Sequence, residues 1–286
     1  MELHFLGVRG STPAPGPEYV RYGGNTSCVA VARDGELPSL VLDAGTGARR
    51  LAHRFDGQPF SGALLLSHLH WDHTHGLPFA RALDNPDASV DLYLPLQLEG
   101  PGATMRADDV LGRGMGPPNF PITPEGLRGN WTFNALEPGH HEIAGFEVTA
   151  VEVPHKGGRT YGYRVSDGTK TMTYMSDHGP IAVGPGPDGL GERHRAALDL
   201  ADATDALVHD AQYTLEEFEL RSGFGHSTYE YAIDLGLQAG ARRVVLFHHD
   251  PDRTDDELDR IVAGLQDRHG EQIEIIAATE DLVLRL

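Results

Sequence analysis

The sequence predicts a layered α/β protein, with β-sheets inside and helices outside. Three observations carry that reading. Short β-branched runs closed by Gly, Pro or Asp recur along the chain, as strands bounded by turn residues do. Helical periodicity is clear in only two places, both of them late. Strand-like runs come first and later alternate with helices, an order that places sheets between helical layers.

Taken in order, the strand-like runs cover residues 3–8, 27–32, 39–43, 63–67, 90–94, 131–136, 146–153, 161–165, 171–175, 206–208, 243–247 and 273–277. The periodicity predicts a helix over 229–239, with Ser227 as N-cap and Gly240 as stop, and another over 255–268, between Asp255 and Gly270. A weaker helical pattern covers 77–83. Two stretches break the rhythm: 100–129 holds five prolines and seven glycines, and 179–191 holds three and five. Such stretches are either solvated linkers or, because long loops inside compact domains are often functional, walls or lids of a site. The chain has 286 residues and no internal repeat, so it reads as one domain over 1–286 with loop insertions near 100–130 and 179–191.

Charge narrows the partners. There are 23 Lys and Arg against 42 Asp and Glu, a net charge of −19. Lysine occurs only at Lys156 and Lys170, and basic runs never exceed pairs such as Arg49-Arg50. Proteins that bind long nucleic acids neutralise phosphates with a basic stripe. This chain would repel a long polyanion except where a bound cation reverses the local field. A small anionic substrate is the expected partner, and a homodimer is left open. The aliphatic runs 63–66 and 244–247 fall far short of the roughly 20 residues that cross a bilayer. Residues 2–8 alternate like a strand and do not resemble a secretion signal. One cysteine, Cys28, excludes an internal disulfide and a CxxC zinc site. These features together predict a cytoplasmic protein.

The 16 histidines carry the chemistry. Directly after the apolar run 63–67 comes His68-Leu69-His70-Trp71-Asp72-His73. Three imidazoles and a carboxylate at a strand exit make a poor core segment, because each would cost desolvation energy if buried unpaired. Imidazole and carboxylate are ligands that zinc accepts without cysteine. His68 and His70 can share one metal across a tight loop, while Asp72 and His73 turn toward a second.

This HxHxDH resembles the hallmark of the metallo-β-lactamase superfamily, and the order of later motifs agrees over nearly the whole chain. The resemblance implies a four-layer αβ/βα sandwich, two mixed β-sheets flanked by helices. It implies two divalent metal ions, with zinc preferred and manganese or iron as the other candidates. His155 after Pro154, Asp177 after Ser176 and His248 after Phe247 match the remaining ligands. His249 is adjacent to His248, and the family pattern with the strand alternation favours His248. The implied sets are His68, His70 and His155 for the first ion, Asp72, His73 and His248 for the second, with Asp177 bridging. Asp72 counts in the catalytic set as well. Asp43, in Leu42-Asp43-Ala44-Gly45, resembles an early aspartate that orients the histidine loop from behind the ligands.

Two further segments, Val208-His209-Asp210-Ala211 and Gly225-His226-Ser227-Thr228, resemble the ribonuclease Z and phosphodiesterase branch. There an acidic residue orients a histidine as a proton relay. Asp210 stands here where ribonuclease Z usually has Glu. A phosphodiester expels an alkoxide that needs a proton, so a positioned His226–Asp210 pair favours a phosphodiesterase acting on a small phosphodiester, such as a cyclic or modified nucleotide. The acidic charge and the lack of a basic, Gly-rich arm stand against the tRNA 3′-end endoribonuclease itself. A lactone or thioester hydrolase with the same metals is the enzymatic rival. A non-catalytic binder on the same fold is disfavoured by the complete ligand set. An iron oxidoreductase of this fold typically carries Glu where this chain has His70. Trp71, Met115, Phe120 and Phe224 are either an apolar wall for the substrate or core. No GxxxxGK[ST], GxSxG or post-strand GxGxxG motif points elsewhere.

Overall fold

The period-two alternation in the strand-like runs builds two sheets whose inner faces meet. The computed structural model describes residues 1–99 and 103–286. The first sheet contains β1 (Glu2–Gly7), β2 (Cys28–Ala32), β3 (Leu40–Leu42), β4 (Ser61–Leu65), β5 (Ser89–Pro95), β6 (Asn130–Leu136) and the last strand, β14 (Val283–Arg285). Their spatial order is β14-β1-β2-β3-β4-β5-β6. The second holds β7 (Gly139–Ile143), β8 (Phe146–Val153), β9 (Thr160–Ser166), β10 (Thr171–Met175), β11 (Ala206–Asp210), β12 (Arg243–Phe247) and β13 (Glu274–Ala277), ordered β13 to β7. Both sheets are mixed: β3 to β6 and β10 to β13 run parallel, and the remaining pairings are antiparallel.

Alternation then sorts the side chains into layers. Phe5, Val31, Leu65, Tyr163, Tyr174, Val208, Val245 and Phe247 point inward and form the core between the sheets. Leu64 and Leu66 point outward and pack in one cluster with residues of α1 (Leu51–Arg54) and α3 (Ala107–Gly112), while α2 (Trp71–Thr74) carries part of the histidine motif. Leu207 and Leu246 point outward on the other side, under α4 (Arg195–Ala201), α6 (Tyr229–Gln238) and α7 (Asp255–His269). The short α5 (Leu215–Arg221) precedes α6. The result is the expected α/β/β/α sandwich.

Several local expectations change. The helix predicted over 77–83 is only a 3-10 turn, Leu77–Phe79. The caps of α6 and α7 are Thr228 and Thr254, one residue later and one earlier than predicted. Ser227 instead donates to the His178 carbonyl (2.5 Å), and the Asp255 carboxylate accepts from the Arg21 and Tyr22 amides. The sequence does not predict strands β7 and β14 or helices α1 to α5. The first part of the 100–129 insertion, residues 100–102, lies outside the described residues. The remainder is no solvated linker: Leu111, Met115 and Leu127 are buried against the first sheet, and Phe120 packs on the same cluster. Among the described residues, no helix is long and apolar enough to cross a membrane.

Candidate metal centre

Parallel strands bring their carboxyl ends to one edge of the sandwich, and the predicted site residues come from those ends. Beyond β4 come His68, His70, Asp72 and His73; beyond β8, β10 and β12 come His155, Asp177 and His248. His209 and Asp210 close β11 itself. The sheet register thus assembles residues that lie up to 180 positions apart (248 − 68).

Three overlapping groups meet around one carboxylate. His68, His70, His155 and Asp177 bring donor atoms together, so do Asp72, His73 and His248, and Asp177, His226 and His248 form a third set that overlaps both. One Asp177 oxygen, Oδ2, lies 3.7 Å from His68 Nε2 and 3.5 Å from His155 Nε2. The other, Oδ1, lies 3.0 Å from His73 Nε2 and 3.4 Å from His248 Nε2. The His155 Nε2 and His70 Nδ1 atoms are 3.3 Å apart, and His248 Nε2 is 3.1 Å from Asp72 Oδ2.

The opposite ring atoms explain this orientation. His73 Nδ1 is 2.8 Å from Asp43 Oδ2, and His155 Nδ1 is 2.6 Å from the Gly225 carbonyl. Both partners only accept, so each Nδ1 donates and each Nε2 of the neutral ring presents a lone pair inward. Ser67 Oγ donates to Asp43 and accepts from His68 Nδ1 at 3.0 Å, which fixes His68 in the same tautomer. His68 Nε2 and Asp177 Oδ1 are buried with no hydrogen-bond partner. Buried imidazole and carboxylate lone pairs crowded at 3.0–3.7 Å around Asp177, with the one on His68 left unpartnered, fit a divalent cation among them.

Burial, then repulsion from His73, holds the His68 pKa well below the usual imidazole value. Burial also lowers His70 and His155. At His73 burial works the same way, but Asp177, Asp72 and Asp43 overcome it and hold a proton well above the usual range. Burial would raise Asp177, yet His248, His73 and His68 hold it well below the usual carboxylate range. In the metal-free chain His73 supplies positive charge to the carboxylates around it, and a cation would replace its proton.

The choice between His248 and His249 has a geometric basis. His249 Nε2 donates to the Ala278 carbonyl at 2.9 Å, away from the cluster, and its ring packs edge-on against Tyr22. His248 takes φ +60°, a conformation uncommon outside glycine, and this turns adjacent side chains in opposite senses. A Cβ on Gly10 would meet His248 Nδ1 at 2.3 Å, so position 10 has room only for glycine beside that ring.

The β-lactamase superfamily domain model matches residues 39–249, nearly three quarters of the chain. The chain belongs to this superfamily. Its relatives include a ribonuclease Z of Natronomonas pharaonis, 24% identical with 87% of this chain and 86% of that protein covered. A ribonuclease Z of Lactiplantibacillus plantarum is 27% identical, with 87% of each covered. Among solved structures, the metallo-β-lactamase fold protein YhfI of Bacillus subtilis superposes with a TM-score of 0.67 at 17% identity, covering 99% of this chain and 98% of that one. A diphosphatase of the PhnP family gives 0.67 at 20% identity, covering 100% and 97%. The human short-form tRNase Z gives 0.61 at 19%, covering 100% and 99%.

In this superfamily member a His–Asp pair lies beside the cluster. His226 Nδ1 donates to Asp210 Oδ2 at 2.9 Å and stands 3.7 Å from Asp177 Oδ2. Burial acts to lower the His226 pKa; Asp210, then Asp177 and Asp72, outweigh it and raise the value. The shorter aspartate therefore reaches the histidine. Three contributors were absent from the sequence reading. Tyr174 donates to Asp43 at 2.8 Å, Ser67 donates to it through Oγ (2.9 Å) and the amide (2.6 Å), and the Ser11 amide donates to Asp72 at 2.7 Å. Ser67 stands immediately before the histidine motif, a position that could have suggested it. Tyr174 and Ser11 are joined to the site only by tertiary packing. Of the four wall candidates, Met115 is core and Phe120 packs edge-on against Phe79, whereas Trp71 and Phe224 are 68% and 60% exposed.

Proposed function

We propose that this hydrolase is a dinuclear, metal-dependent phosphodiesterase acting on a small phosphodiester such as a cyclic or modified nucleotide. The observation that carries the reading is the buried His226–Asp210 pair at 2.9 Å, next to the candidate bridging carboxylate. In this reading His68, His70 and His155 would hold one ion and Asp72, His73 and His248 the other, with Asp177 shared between the two sets. When bound, two divalent cations, zinc by donor preference, supply Lewis-acid stabilisation of phosphate charge and a nucleophile at neutral pH.

The chain's own groups do the rest. Asp43 holds the His73 ring by accepting a hydrogen bond from Nδ1, and the Ser11 amide fixes the Asp72 carboxylate. Asp210 fixes the His226 tautomer through Nδ1, leaving the second ring nitrogen, Nε2, to carry a proton to the departing alkoxide. Such proton transfer typically contributes about 10²–10⁴-fold. A thioester releases a thiolate, a better leaving group than an alkoxide, and needs this acid less. Action on RNA is a second reading, favoured by the names of the ribonuclease Z relatives; a net charge of −19 favours a small substrate instead.

Turnover of aryl and alkyl phosphodiesters by wild type and His226→Ala tests the reading. His226→Ala should keep its metal yet lose about 10²–10⁴-fold on alkyl leaving groups, with the deficit shrinking as the leaving group becomes more acidic. A deficit that stays flat across the series would contradict the acid role. Faster chelator-sensitive turnover of lactones, thioesters or a tRNA precursor would move the assignment to that class.

A further inference from the structure

We propose that Lys156 and Phe224 form a subsite for the leaving half of the substrate, one that takes an aromatic base carrying a second phosphate. The inference rests on the phosphodiesterase reading and narrows its substrate class to phosphodiesters whose alcohol half is itself a nucleotide.

The first observation concerns charge. Of the two lysines, Lys170 pairs with Asp205 at 3.2 Å. Lys156, in a chain with 42 acidic residues, has no carboxylate partner among the described residues. Its ammonium donates to the Gly223 carbonyl at 3.1 Å and lies 5.9 Å from the centre of the Phe224 ring. An exposed cation without an acid beside it, on a strongly acidic protein, is where a mobile anion can settle.

The second observation is position. Lys156 follows His155, and Phe224 precedes Gly225, whose carbonyl accepts from His155 Nδ1. A Cβ on Gly225 (φ +94°) would meet His155 Nδ1 at 3.0 Å and the Lys156 Cβ at 3.1 Å, so the two loops touch. Phe224 is also two residues before His226, the proposed proton donor to the departing oxygen. Lys156 and Phe224 thus lie on the side where the leaving group departs.

The third observation is the exposed ring itself. Phe224 leaves 60% of its surface open beside a charged site. Base stacking on such a ring is tolerant of base identity, while the ammonium supplies a point charge for phosphate. Together they recognise a nucleotide rather than an apolar alcohol.

Calorimetric binding to the zinc-loaded protein tests the subsite without turnover. The probes are adenosine 5′-monophosphate and adenosine 3′,5′-bisphosphate, which share the base and differ by one phosphate. Wild type should bind the bisphosphate about 10- to 100-fold more tightly, the range of a charge-assisted hydrogen bond. Lys156→Gln should erase that preference, Lys156→Arg should keep most of it, and Lys170→Gln should leave it intact. Phe224→Ala should weaken both nucleotides by about tenfold. A wild type without the preference, or a preference that survives Lys156→Gln, would overturn the subsite while leaving the phosphodiesterase reading to the leaving-group series.

Discussion

Two groups of histidines lie at the carboxyl edge of the sandwich, and only one of them suits a metal. In the candidate centre each fixed ring ties one nitrogen to an oxygen acceptor and turns the other toward Asp177 or Asp72. In the neighbouring group His209 Nδ1 donates to the Asp210 carbonyl at 2.7 Å, so its Nε2 accepts from His178 Nδ1 at 2.9 Å. There the His209 lone pair is spent within the protein, and His178 Nε2, though buried without a hydrogen-bond partner, has no carboxylate oxygen beside it among the described residues. Identical side chains at similar burial diverge because of what their second nitrogen faces. Ligand capacity depends on the partner of the opposite ring atom, more than on the number of histidines.

The largest break in the comparison should come from the shared carboxylate. Asp177→Ala removes the one group that both donor sets face, and turnover should fall by about 10³-fold or more. The protein should also lose most of the thermal stabilisation that zinc gives wild type, a linkage effect worth about 2.7 kcal/mol at a hundred times Kd. Equal zinc-dependent melting shifts in wild type and variant would contradict the shared role.

Asp43→Asn should have a smaller effect. The carboxylate accepts from the Ser67 amide, Ser67 Oγ, Tyr174 and His73, and an amide cannot accept all four. Zinc affinity, measured against a competing chelator, should fall about 10- to 100-fold. Unchanged affinity would mean that His73 holds its orientation without Asp43.

His209→Gln should affect metal least and stability in a defined sense. Burial holds the native His209 pKa below its ordinary value. As pH falls below about 6.5 the unfolded imidazole takes up a proton that the native ring refuses, so wild type loses stability in that direction. Urea unfolding from about pH 7 to about pH 5 should show a shallower loss for His209→Gln, with zinc affinity kept within about twofold. A variant that lost zinc instead would join the two histidine groups into one.

Much of this was legible in the sequence for physical reasons. The proposed ligands follow strands, and strands announce themselves by alternation and closing turns, so the His68–His73 motif could be located after a β-run, while His155, Asp177 and His248 are picked out after later runs by the family resemblance. His226 and Asp210 were legible only through resemblance, because nothing in local spacing brings residues of two different elements together. What stayed hidden depends on tertiary packing. The Ser11 amide reaches Asp72 across 61 positions, and Tyr174 reaches Asp43 across 131. Strand β7 escaped notice because its edge position leaves His140, His141 and Glu142 without an apolar alternation. Helix α3 escaped because six residues among glycines and prolines carry too few turns to show a period.

Anomalous scattering at the zinc edge from crystals of the zinc-loaded protein tests the contrast most directly. The account predicts two peaks about 3.5–4 Å apart. One should lie among His68, His70 and His155, the other among Asp72, His73 and His248, with Asp177 between them and no peak at His178 or His209. A single peak, or zinc bound by the His178–His209 pair, would contradict it.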